Sequence, residues 1–238
     1  MKLSKVYYKD LFFTYLLSQK KQSAAAIVLL DGLPSDPSSK EKLIRRLARK
    51  GYDVFFPRYE GTWESRGNFL KRPPGKAIVE FIKALKTGVK IENGTYQRGR
   101  IFVLGASFGG GVALEIAGKD IADKVCALSP VISFKNVKGI NTLEGYIRAA
   151  YSHNYRFESK NWQKLLKDKI WNLADIEIKK PADVLIIAGK ADDQITRDEI
   201  ENFGKKKSVK VRVYDFGHIT LSKITKTMLE EILRFFSN

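Results

Sequence analysis

Apolar and polar positions change period repeatedly along this chain. Residues 6–8 and 11–17 are short runs of aromatic and aliphatic residues around Lys9 and Asp10, and they predict two strands joined by a turn. Residues 24–30 are almost entirely apolar, the pattern of a strand buried on both faces. Ser38 or Ser39 can cap a helix over residues 40–50, with Glu41 in its first turn and Gly51 as its stop. Residues 52–56 predict the next strand, closed by Pro57, and residues 58–67 a loop. Pro74 opens a helix to about residue 86. Ile101, Phe102, Val103 and Leu104 form another continuous apolar run, followed by a helix whose apolar side holds Val112, Ala113, Leu114, Ile116 and Ala117. Further strands fall at residues 124–128, 184–188 and 209–214, with helices over 194–203 and 219–236.

Strands thus alternate with helices through most of the chain. That order predicts an α/β protein, with a mainly parallel sheet covered on both faces and an antiparallel hairpin at its start. Eight strands are predicted. Residues 131–180 exceed one crossover and predict an excursion, helical over 143–151 and 162–171. A single domain over residues 1–238 with this insertion is the expectation.

Composition narrows the class. The chain has 238 residues, 44% hydrophobic and 29% charged, values of a globular protein with a full core. Its single cysteine, Cys126, lies in an apolar stretch and excludes a disulfide framework within the chain, which favours the cytoplasm. No apolar run reaches the roughly 18 residues of a membrane span. The lysines before residues 11–17 resemble a signal peptide, but Asp10 and the absence of a small-residue cleavage site favour a strand. The formal net charge of +17 could attract nucleic acid or anionic surfaces. The basic residues are scattered, however, with Lys205–Lys207 the longest cluster, so a solvated surface without a specific nucleic-acid partner is expected.

The chemistry centres on Gly105-Ala106-Ser107-Phe108-Gly109. A G-x-S-x-G occurs by chance in roughly one chain in ten of this length, given ordinary glycine and serine usage. The strand before it and the helix after it therefore carry the reading. A serine on a tight strand-to-helix turn points its hydroxyl off the sheet edge, beside the free N–H groups of the helix. Such a serine needs a base. The chain has two histidines, His153 in the excursion and His218 in the loop after the last strand, where reactive loops leave a parallel sheet. The base in turn needs an acid. Asp192 and Asp193, after the strand over 184–188, are both candidates, and either could instead cap the next helix.

The order Ser107, Asp192, His218 resembles that of the α/β-hydrolase superfamily over nearly the whole chain. Within it, the sequence is similar to dienelactone hydrolases and prolyl-oligopeptidase-type domains. The similarity lies in Gly105–Gly110, in residues 51–61 and in Gly189-x-x-Asp192-x-x-Ile195. The resemblance implies an α/β-hydrolase fold with a small helical cap over 131–180. It also implies Ser107 as nucleophile, His218 as base and Asp192 as acid. The oxyanion hole would use the backbone N–H groups of Phe108 and Leu33, although the family's usual His-Gly is here Asp31-Gly32. Aromatic residues of the cap, among them Tyr146, Tyr151 and Trp162, are candidates for contact with substrate, as against a small core of the cap itself.

Ester hydrolysis through an acyl-enzyme is the expected activity, with a small ester or short peptide as substrate. A peptidase is the alternative, and Glu60 with Glu64 the one acidic pair near the loops that could bind a substrate amine. A non-catalytic binding module using the basic surface is a third reading. No metal-ligand spacing and no dinucleotide fingerprint occurs, so neither metal nor cofactor is expected.

Overall fold

The protein is described here by a computed structural model covering residues 2–20, 23–92 and 94–238. Its first strands, β1 (Ser4–Tyr8) and β2 (Leu11–Leu16), form the expected antiparallel hairpin, in which Tyr8 faces Leu11. Then come β3 (Ala26–Leu30), α1 (Glu41–Lys50), β4 (Asp53–Pro57) and α2 (Pro74–Thr87). A small hairpin follows, β5 (Val89–Ile91) with β6 (Gly94–Tyr96), which the sequence pattern did not predict. The remaining elements are β7 (Ile101–Ala106), α3 (Phe108–Gly118), β8 (Lys124–Leu128), α4 (Ile140–Tyr151), α5 (Ser159–Leu166), β9 (Val184–Gly189), α6 (Arg197–Lys207), β10 (Lys210–Tyr214) and α7 (Lys226–Ser237).

Eight strands make one sheet in the order β1-β2-β4-β3-β7-β8-β9-β10, and only β2 runs against the others. Period-2 alternation divides its side chains between two cores. Ala26, Val28, Ile101 and Val103 face the side of α2, α3 and the insertion, while Ile27, Leu29, Phe102 and Leu104 face α1 and α7. All eight are essentially excluded from water, which is why these strands read as unbroken apolar runs.

The helices expected over 143–151, 162–171 and 194–203 are shifted to Ile140–Tyr151, Ser159–Leu166 and Arg197–Lys207, and two further helix starts differ from expectation. Neither Ser38 nor Ser39 caps α1; Asp36 caps a 3-10 turn, Pro37–Lys40, that leads into it. The closing helix begins at Lys226, capped by Thr225, because the chain just after His218 is held in an irregular turn. The charge is also less scattered than the sequence suggests. Lys42, Arg45, Arg46 and Arg49 recur at helical spacing and line one groove beside α1.

The strand order changes direction between β3 and β7: from β3 the chain moves to β4 on one side, and β7 lies on the other. Loops leaving the carboxyl ends of such neighbouring strands diverge and leave a crevice. Leu30 pairs with Gly105, so the turns that begin at Asp31 and at Ser107 lie side by side.

Candidate active site

Ser107 adopts φ 56° and ψ −120°, a conformation rarely populated by a residue with a side chain. The flanking glycines explain how the turn closes. A Cβ at Gly105 would sit 2.0 Å from the Gly109 carbonyl oxygen, and one at Gly109 would sit 2.2 Å from that of Leu30. Neither position tolerates a side chain. The backbone of Ser107 is held by its own N–H donating to the Leu128 carbonyl at 2.8 Å, and by Gly111 and Val131 N–H groups donating to its carbonyl at 3.1 Å. Phe108 anchors the start of α3 by packing its buried ring against Tyr59, Phe69, Phe134 and Trp171.

Of the two candidate aspartates, Asp192 is the one that meets His218. Nδ1 of His218 lies 2.9 Å from Oδ2 and 3.1 Å from Oδ1 of Asp192. Asp192 Oδ1 also accepts from the N–H groups of Gln194 and Ile195, each at 3.0 Å. Its side chain is fully enclosed. Burial alone would raise its pKa, but the His218 imidazole, the Ile195 N–H and the Ser129 hydroxyl outweigh burial and hold it below the usual carboxylate range. Asp193 is exposed and makes no contact with His218, and Thr196 rather than either aspartate caps α6. Ser129 is a residue that sequence reasoning missed. It is completely buried at the end of β8, and its Oγ accepts from the Ile219 N–H at 3.2 Å, so it braces both Asp192 and the chain beside His218.

Ser107 and His218 line one cavity of about 400 Å³, within the range of small-molecule sites. No hydrogen bond joins the two side chains in this structure, a contact that is commonly loose without substrate. Gly32 lies against the serine: a Cβ there would be 3.3 Å from Ser107 Cβ and 3.8 Å from its Oγ. The N–H of Gly32 is already donated to Asp31 Oδ1 at 2.9 Å. The N–H groups of Leu33 and Phe108 have no partner among the described residues, and both residues line the cavity.

The three aromatic candidates separate. Tyr151 lines the cavity. Tyr146 does not: its ring stands 53% exposed on the outer side of α4, because the helix turns Ile140 and Ile147 inward instead. Trp162 is wholly buried beside Phe157, in the core that covers this face of the sheet, and does not line the cavity. The apolar wall is made by residues without a sequence signal, Val131, Phe134, Val137, Ile140, Leu143 and Ile195. His153 is exposed at the end of α4, away from the cavity. Glu60 is bound to Arg72 at 2.5 Å and Glu64 to Arg58 at 3.5 Å, and neither lines the cavity.

The loop over 58–67 does not border the cavity either; it holds the insertion. Thr62 bridges Tyr155, Trp63 N–H donates to the Asn154 carbonyl, and Arg156 N–H donates to that of Gly61. The Arg156 guanidinium closes the joint on the carbonyls of Trp63 and Ser65.

Comparison with known proteins adds the family. The family described as serine aminopeptidase, S33, matches residues 21–177, about two thirds of the chain and including the Ser107 turn. The chain belongs to that family. It is therefore an α/β hydrolase. The match ends before Asp192 and His218, whose pairing stands on the geometry above. Among solved structures, an esterase of Pyrococcus furiosus superposes with a TM-score of 0.71 at 19% identity, over 99% of this chain and 91% of that one. The α/β hydrolase GrgF of Penicillium gives 0.75 at 15%, over 100% and 98%. An α/β hydrolase from a lagoon-sediment metagenome gives 0.67 at 21%, over 100% and 98%. At these identities the likeness is one of fold. No curated protein matches the hydrolase in sequence. Among the described residues no cluster of ligating side chains could hold a metal, and no helix is long and apolar enough to cross a membrane.

Proposed function

We propose that the protein is a serine esterase working through Ser107, His218 and Asp192. The observation that carries the reading is the convergence of a strained serine, a carboxylate-bound histidine and two unpaired N–H groups on one cavity. In this reading His218 Nε2 takes the Ser107 proton as Oγ attacks the ester carbonyl carbon. Asp192 holds the proton on Nδ1, so that Nε2 is free to accept, and stabilises the imidazolium. The N–H groups of Phe108 and Leu33 stabilise the oxyanion, each worth about 3 kcal/mol in the transition state. The alcohol leaves with the proton from His218. Water, activated by His218, then releases the acid from the acyl-enzyme.

The apolar wall suits an acyl chain, with Tyr151 beside it. Residues 131–180 act as a cap within a single domain. The esterase reading is supported by the mixed apolar cavity and by the esterase among the fold neighbours. The family's description favours a second reading, peptide hydrolysis with recognition of a free amine. Asp36 is the cavity carboxylate for that role, since it faces the cavity with its charge form favoured by hydrogen bonds from Ser38. A small ester or short peptide is the partner in either case, and the buried single thiol is consistent with a cytoplasmic setting.

A fluorophosphonate probe tests the core of the reading. Mass spectrometry should place the adduct on Ser107, and Ser107→Ala should keep the wild-type melting curve while losing both adduct and ester hydrolysis. A folded wild type without an adduct would sink the proposal. Short acyl esters assayed against aminoacyl amides then separate esterase from peptidase.

A further inference from the structure

The loop that follows β3 carries the Leu33 N–H, and it is held by an unusual arrangement. Asp31 and Lys40 are 6% and 5% exposed, and Lys40 Nζ lies 2.7 Å from Asp31 Oδ2. The same ammonium donates to the carbonyl oxygen of Asp36 at 3.1 Å. A single cation therefore bridges the first and last residues of the 31–36 turn. The other carboxylate oxygen of Asp31 takes the Gly32 N–H, and the Asp31 carbonyl accepts from Tyr59 OH at 2.9 Å. Asp31, Asp36 and Lys40 all line the cavity that holds Ser107. Beyond this clasp the Ser35 N–H donates to Tyr155 OH at 3.1 Å, the Asp36 carbonyl also accepts from the Ser39 hydroxyl at 2.8 Å and the Ser39 N–H at 3.3 Å, and Ser38 donates to the Asp36 carboxylate.

Desolvating a lysine and an aspartate is costly, and an apolar pair would fill the same space more cheaply. A clasp with this chemistry does something an apolar pair would not: one ammonium ties both ends of the turn, by an ion pair to the Asp31 carboxylate and a charged hydrogen bond to the Asp36 carbonyl. The Gly32 N–H is consumed by Asp31, which leaves an unpartnered N–H on Leu33, a cavity-lining residue next to the glycine that packs on Ser107.

We propose that Lys40 is a positioning residue: through Asp31 and the Asp36 carbonyl it aims the Leu33 N–H at the oxyanion site. The inference rests on the esterase reading above. Lys40 touches no reacting atom in it. Losing the clasp relaxes the turn, and donor misplacement lowers the chemical step while the apolar wall goes on binding substrate.

The test is steady-state hydrolysis of a short-chain p-nitrophenyl ester by wild type, Lys40→Met, Lys40→Arg and the double variant Asp31→Asn/Lys40→Met, with thermal melting of each. For Lys40→Met, kcat should fall about 10²-fold with KM within about threefold. Lys40→Arg, which keeps a cation for both acceptors, should recover part of that loss. The double variant leaves no unpaired charge in the clasp, so it should melt near the wild-type temperature, yet its kcat should stay low because no cation joins the two ends of the turn, even though Ser39 still donates to the Asp36 carbonyl. A structural role alone predicts that kcat recovers together with stability. A folded Lys40→Met or double variant with wild-type kcat would overturn the clasp, and the double variant decides if the single one does not fold. A wild type that neither reacts with fluorophosphonate nor hydrolyses the ester overturns the esterase reading instead.

Discussion

The two sides of the cavity are built by different means. On the side of β9 and β10, side chains meet directly: Asp192 against His218 at 2.9 Å, with Ser129 behind them. On the side of β3, the proposed donor is the backbone N–H of Leu33, in a turn held by a buried ion pair and a tyrosine. Side chains of distinctive chemistry announce themselves in a sequence. A backbone donor does not, since every residue but proline carries one. The difference shows why His218 and the pair Asp192 and Asp193 could be named from loop positions, whereas the role proposed for Lys40 needed the folded chain.

The sharpest way to break the first side is to change the tautomer. Asp192→Asn should lower kcat by about 10⁴-fold, because an amide no longer holds the proton on Nδ1. Asp193→Asn should leave the rate near wild type, since Asp193 is exposed and the His218 ring bonds to Asp192 instead. Equal losses in the two variants would refute the assignment of the acid. The β3 side should fail through stability as well as rate. Lys40→Met leaves Asp31 charged, buried and unpaired, and should cost about 3–5 kcal/mol in denaturant unfolding. The neutral double variant should regain most of it.

The insertion offers a milder contrast. Trp162→Ala removes a fully buried ring from the core and should cost about 3–5 kcal/mol of stability. Tyr146→Ala, at an exposed position, should shift stability by no more than about 0.5 kcal/mol. Similar melting shifts for both would mean that the two rings are not divided between core and surface. The smallest effect is pH dependence. Asp192 has a folded pKa below the ordinary carboxylate value, so its contribution to stability is present above that value and is lost as pH falls through the folded one. The acid side of the stability profile should therefore be shallower in Asp192→Asn than in wild type, as measured by melting between neutral and acidic pH.

Legibility followed burial and period. Strands at residues 24–30, 101–104, 124–128 and 184–188 were visible because the parallel sheet buries both of their faces, and each was recovered within two residues at either end. The β5–β6 hairpin was not visible. Its strands are three residues each and largely exposed, too short to show a period. The cap aromatics were ambiguous for a related reason. Helical spacing tells that Tyr146, Tyr151 and Trp162 lie on helices, but the insertion packs on the rest of the protein in a way that no local pattern encodes. Lys40 carries no sequence signal of burial, because a lysine is nearly always solvated unless it is paired.

By itself, the sequence determined the α/β order, the serine turn and the three loops from which Ser107, Asp192 and His218 project. Local rules suffice there: an apolar run makes a buried strand, and glycines beside a serine permit a turn that Cβ atoms would block. The tertiary structure alone decided which aspartate meets the histidine, which aromatic ring faces the cavity, and how the turn after β3 is held. Each of these depends on contacts between residues far apart in the chain, such as Asp192 with His218, Tyr59 with Asp31, and Tyr155 with Ser35. Such contacts are fixed by how whole layers pack, and packing is a property of the assembled sheet and helices rather than of any one segment.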